Sequence, residues 1–144
     1  MGADLLAFLT GVLLVAAVGL LHHQGLLRIK RLAPEPRTSP HLCIAVMFGG
    51  LLALHVTEIL LFALVYRAVL QVPGIGELGG SFAGTWGDYI YYSGMNFATL
   101  GYTGITASGA VRLVSMLQSL GGFMLITWSA TFIYAVWGDI WRES

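Results

Sequence analysis

Apolar and polar segments alternate along this chain, and the length of each apolar segment decides what it can do. From Leu5 to Leu21 the residues are apolar apart from Thr10, Gly11 and Gly19, which is close to the shortest helix able to cross a bilayer. His22 to Pro40 is polar and carries Arg28, Lys30, Arg31 and Arg37 together with Pro34, Pro36 and Pro40. It reads as a surface connector in which a short basic helix could rest against lipid headgroups. Leu42 to Leu70 is apolar again and would reach about 43 Å as a helix, enough to span with tilt or overhang. A third apolar segment runs from Val111 to Trp137.

Between the second and third segments the pattern changes. Gln71 to Gly84 is rich in glycine, contains Pro73, and reads as an irregular connection. Thr85-Trp86-Gly87-Asp88 then has the form of a helix start, with Thr85 placed to cap free amides and Asp88 three residues on, beside the positive end of the dipole. The helix it opens, to about Ala98, would reach only about 20 Å and cannot span a bilayer. A re-entrant or interfacial helix is the expectation. The layout is a first span over 1–23, a basic connector over 24–40, and a unit over 41–144. That unit holds an outer helix at 41–71, a short helix at 85–98, a loop at 99–104 and an inner helix at 108–138.

Composition narrows the class. Hydrophobic residues make up 57% of the chain and charged residues only 10%, so a soluble domain is not expected. Nineteen glycines and four tryptophans suit membrane helices that pack closely and meet the headgroups with aromatic rings. The formal charge is zero, which gives nucleic acid no attraction, and lipid is the expected environment. Asp4 precedes the first apolar run while the basic residues follow it, the reverse of a secretory signal, so the run is expected to stay as an anchor. The lone Cys43 has no disulfide partner in the chain and reads as a small packing residue.

Lysine and arginine favour the cytoplasmic side of a membrane. Placing Arg28, Lys30, Arg31, Arg37 and Arg142 inside puts the amino terminus outside and leaves only Arg67 and Arg112 near the outer face. Residues 88–104 then lie at the outer side. A non-helical loop at membrane depth must be buried by protein or line a wet cavity, and one copy of this chain has too few helices to enclose it. A ring of identical subunits answers that need. Backbone carbonyls of such a loop, with one threonine hydroxyl, could replace the water shell of a cation.

The residues Tyr92-Ser93, Thr99-Leu100-Gly101-Tyr102 and Trp128-Ser129-Ala130-Thr131 carry a resemblance. From about Glu58 onward the chain resembles the pore unit of the potassium channel superfamily, and more narrowly the small bacterial two-pore-domain-like ion channels. The resemblance implies an all-α integral membrane protein, with three transmembrane helices, a re-entrant pore helix and a selectivity filter, assembled as a homotetramer in the bacterial inner membrane. It implies passive K+ conduction, with ion sites at Thr99, Leu100, Gly101, Tyr102 and Thr103. Thr99 would give hydroxyl and carbonyl, and the following residues carbonyls. It implies no enzyme activity, no cofactor, no small-molecule substrate, and no partner beyond copies of itself. The usual filter continues glycine-aspartate where this chain has Thr103-Gly104, and Ala98 stands where many relatives have threonine. A weakly selective monovalent cation channel is therefore the alternative, and a non-conducting membrane scaffold the reading from another class.

Further residues stand out within the spans. Gly121-Gly122 lies midway along the third, where the resemblance suggests a bend and the chemistry suggests close packing. Ser115, Gln118, Ser119, Thr127, Ser129 and Thr131 either line a cavity or bond to their own backbone and neighbouring helices. His55 and Glu58 share a helix face at i and i+3. Two ligands are few for a metal, and a hydrogen-bonded pair holding the second helix against the short helix, through Ser93 or Asn96, is the expectation. An intramembrane enzyme built on that pair lacks a further ligand or nucleophile. His22, His23 and His41 fall at connector ends and are expected to face water or headgroups, giving no site. No segment carries arginine at every third position, so a charged voltage sensor is not expected.

Overall fold

A computed structural model describes residues 2–142, with side chains described through residue 138. The element order is α1 (Gly2–Leu32), α2 (Pro40–Val69), β1 (Glu77–Gly80), α3 (Trp86–Phe97), β2 (Ile105–Ser108) and α4 (Val111–Arg142). Among the described residues three helices are long and apolar enough to cross a membrane, at Gly2–Leu32, Pro40–Val69 and Val111–Gly138. This is the helical, membrane-spanning architecture that the apolar segments predict. The side chain of Arg142, counted in the charge asymmetry, lies outside the described residues.

The first helix runs past its expected end at residue 23. No proline interrupts it before Pro34, and Lys30 and Arg31 complement the dipole in the last turn. Leu26 and Ile29 in this basic stretch are buried against Cys43, Met47 and Leu51 of α2, so tertiary packing draws half of the expected connector into the helix. The true connector is residues 33–39. Cys43 is buried there as a packing residue.

Helices α1 and α4 lie side by side and run the same way. Gly11 faces Leu117, Val15 faces Gly121, and His22 reaches Ser129, a nearly constant offset along both chains. Helix α2 runs against them, bringing Glu58 to His22. The small residues let the backbones approach, as the glycine content suggested.

The segment expected to be irregular contains the one departure from an all-helical chain among the described residues. Glu77–Gly80 pairs antiparallel with Ile105–Ser108, Gly80 opposite Ile105 and Glu77 opposite Ser108. The amide of Ser81 also donates to the carbonyl of Gly104 (2.8 Å). This short ribbon joins the chain entering α3 to the chain leaving the loop behind it. Ile75, Leu78 and Ile105 are buried with Ala110 and Val111 in the main apolar core, which anchors the ribbon to the bundle.

Candidate pore loop and the polar groups behind it

Helix α3 starts where its sequence says it should. Thr85 Oγ1 accepts from the amide of Asp88 (3.2 Å), and Asp88 Oδ2 accepts from the amides of Thr85 (2.9 Å) and Ala83 (3.0 Å). This reciprocal cap satisfies donors that the first turn leaves open. Those amides, led by that of Thr85, hold the exposed Asp88 carboxyl below the usual carboxylate range. The guanidinium of Arg67, at the end of α2, sits 4.6 Å above the ring of Trp86 and ties the two helix ends together.

Twelve residues later the helix stops abruptly. The amide of Leu100 donates to the carbonyl of Met95 (3.1 Å) and that of Thr99 to Asn96 (3.0 Å), the paired bonds of a Schellman ending. Such an ending needs a left-handed residue just after the helix, normally glycine, and here Thr99 takes it with φ of 54°. For a β-branched residue this conformation costs on the order of 1–2 kcal/mol. Gly101 is left-handed too, with φ of 72°. The strain identifies Thr99 as a position where something other than local preference chose the side chain.

The loop that follows faces outward. Thr99, Leu100, Gly101 and Tyr102 are exposed, Tyr102 at 72%, and Thr103 is half-buried. Among the described residues no hydrogen bond is made to the carbonyls of residues 99–103. Thr103 Oγ1 accepts from the amide of Ile105 (3.0 Å), turning the chain into β2.

The inner side of α3 is, by contrast, fully bonded. Tyr66 donates its hydroxyl hydrogen to Gln118 Oε1 (2.7 Å), and Gln118 Nε2 donates to Ser93 O (3.1 Å) and Ser93 Oγ (2.8 Å). Ser93 Oγ donates onward to the carbonyl of Ile59 (2.7 Å). Tyr92 and Ser115 hydroxyls meet at 2.7 Å. These contacts lock α3 to α2 and α4 through groups that apolar packing alone would not orient. Ser115, Gln118 and Ser129 are therefore buried partners, and Thr127 and Thr131 bond to carbonyls of their own helix. Gly121 and Gly122 are both contact positions: a Cβ on Gly121 would press into Val15, and one on Gly122 would collide with the carbonyl of Phe97. Helix α4 runs unbroken through them.

His55 and Glu58 do pair, through His55 Nδ1 and Glu58 Oε2 (2.9 Å), but their further partner differs from the expected one. Ser93 bonds Ile59, and Asn96 bonds the Tyr92 carbonyl of its own helix (2.9 Å). The third member is His22, whose Nδ1 lies 2.8 Å from Glu58 Oε1. It is fully buried, contrary to the expectation of a headgroup-facing histidine, whereas the adjacent His23 is exposed. Ser129 Oγ closes the ring, 3.0 Å from His55 Nε2 and 3.4 Å from His22 Nε2. A signal for His22 existed in the sequence: the buried positions Ala7, Gly11, Val18, His22, Leu26 and Ile29 recur at helical spacing, so one stripe continues through the histidine.

A short capped helix, an outward loop of free carbonyls and a following long helix together have the form of a pore unit. A family model described as ion channel matches residues 54–137, more than half of the chain, and the protein belongs to that family. It is a membrane protein of the ion channel superfamily, with the pore unit spanning α2 to α4. No curated protein and no solved structure matches the chain.

Proposed function

We propose that four copies of this chain form a potassium-selective channel in a bacterial inner membrane, with Thr99 to Thr103 as the filter. The observation that supports it is the loop: carbonyls that accept no hydrogen bond among the described residues, following a helix too short to span, at a strained threonine. Polar backbone of this kind is tolerated in a membrane only against protein or water, and a fourfold ring supplies both. Helix α3 then enters from the outside and turns back, aiming its negative end at the cavity where a cation rests. Thr99 gives hydroxyl and carbonyl to the innermost ion, and Leu100, Gly101, Tyr102 and Thr103 give carbonyls farther out. The amino terminus lies outside and residues 33–39 inside. K+ is cargo, no cofactor takes part, and the chain catalyses no reaction.

One observation favours a second reading. The chain leaves the loop through Thr103, whose hydroxyl turns back to Ile105, where a filter of the usual sequence has glycine. A displaced outer site would weaken discrimination between K+ and Na+ and give a general monovalent cation channel.

The purified chain reconstituted in liposomes, assayed for K+ and Na+ flux, tests these readings. K+ flux at least tenfold above Na+ flux, abolished in Gly101→Ala with the oligomer intact, is the expected result. Equal fluxes support the weakly selective channel. A folded oligomer passing neither ion, in a preparation whose gate is shown to be open, leaves a scaffold.

A further inference from the structure

His22, His55 and Glu58 each offer one ligand atom, and these atoms lie within 4.8 Å of one another. The three residues come from two helices, with His22 on α1 outside the matched pore unit and the other two on α2 inside it. We propose that they form a binding site for a divalent transition metal of the zinc type, which clamps the first span to the pore unit.

The hydrogen inventory of the ring supports this. Both Nδ1 atoms face Glu58, at 2.8 and 2.9 Å, and both Nε2 atoms face the single hydroxyl of Ser129, at 3.4 and 3.0 Å. With both imidazoles neutral and donating from Nδ1 to the carboxylate, each Nε2 needs a donor. Ser129 has one hydrogen to give, so one nitrogen goes without. A metal bound at the two Nδ1 atoms and the carboxylate removes the mismatch. Each imidazole then carries its hydrogen on Nε2, and both N–H groups point at one oxygen with two lone pairs. A polar group accepting from the far nitrogen of each ligating histidine is the usual support of such sites, because it fixes tautomer and ring orientation.

Size and charge agree. Ligand bonds of about 2.0–2.1 Å in a tetrahedral arrangement separate the ligand atoms by about 3.3 Å, so the two histidine–carboxylate contacts would open by about half an ångström while the widest-spaced ligand atoms, at present within 4.8 Å, would close toward the ion. Two imidazoles and one carboxylate suit zinc, nickel or copper better than the hard cations, which prefer oxygen alone. Three protein ligands leave a fourth position for water. The ring of His55 lies 5.5 Å from that of Phe97, the last residue of α3, so the added positive charge sits beside the negative end of that helix. His22 and His55 stack at 5.5 Å, and Trp128 covers His22, walling the site with aromatic rings.

The test uses the full chain in detergent or nanodiscs, titrated with Co2+ and followed by visible absorption, and with Zn2+ followed by calorimetry. Wild type should bind one metal per chain, with the intense absorption of a four-coordinate site. His22→Gln should weaken binding about a hundredfold and Ser129→Ala about tenfold. His23→Gln, next door but exposed, should change nothing. Absence of saturable binding to wild type overturns the proposal, as does His22→Gln with wild-type affinity. If that variant fails to fold, wild-type stoichiometry, the cobalt spectrum and the Ser129→Ala shift still decide. A ring that holds only an extra proton would show neither metal saturation nor the spectrum. Failure here leaves the flux assay untouched, because the loop and this cluster share no residue.

Discussion

The largely exposed loop at Thr99–Thr103 and the largely buried ring of His22, His55, Glu58 and Ser129 are separated by little more than Phe97, yet they treat polar atoms in opposite ways. In the ring each side chain meets two others, across three helices. In the loop the carbonyls accept no hydrogen bond among the described residues, and the backbone at Thr99 is held in a conformation that threonine disfavours. Polar atoms that face one another across helices serve the bundle. Polar atoms left open beside a membrane need something from outside, which under the proposed function is a neighbouring subunit and a permeant ion. Substitutions in the two regions should therefore separate folding from transport.

The largest effect is expected from Glu58→Ala. Removing the carboxylate leaves the buried His22 imidazole and the half-buried His55 imidazole facing a void, at a cost of about 3–5 kcal/mol, and the melting temperature of the purified protein should fall steeply or the transition be lost. An unchanged melting curve would erase the distinction between the regions. Thr99→Gly should act in the other direction. It relieves the left-handed strain and raises stability by about 1 kcal/mol, while loss of the hydroxyl lowers the K+ to Na+ flux ratio. Destabilisation there would mean that the threonine side chain holds the fold as well as an ion. The smallest effect concerns acid. Because the Thr85 and Ala83 amides lower the folded carboxyl, Asp88 contributes stability above the ordinary carboxylate pKa and loses it as pH falls through its depressed folded value. Melting temperature should drop in that acid window in wild type, and the part of the drop due to this cap should vanish in Asp88→Asn.

Much of this architecture was legible because it rests on length and local chemistry. Apolar runs gave the three spans, and Thr85 with Asp88 gave the start of α3 to the residue. What escaped depended on distance in sequence. His22 looked like a connector residue because the basic cluster beyond it suggested that the helix had ended; packing of Leu26 and Ile29 on α2 carries the helix on and buries the histidine. Tyr66 meeting Gln118 is a contact between two spans that neither segment announces by itself. The ribbon was hidden for a different reason. Glu77-Leu78-Gly79-Gly80 has almost no strand propensity, and it is extended because Ile105–Ser108 pairs with it. The pairing of His55 with Glu58 was readable from their spacing, but the partner from α1 was not.

That ribbon has a mechanical consequence. By stitching the approach to α3 onto the exit from the loop, it works as a drawstring: helix and loop hang as one closed purse of chain from a hydrogen-bonded neck. A ligand that gripped this neck would tug both ends of the purse together, so its pull would reach the loop without any of the three long helices having to tilt.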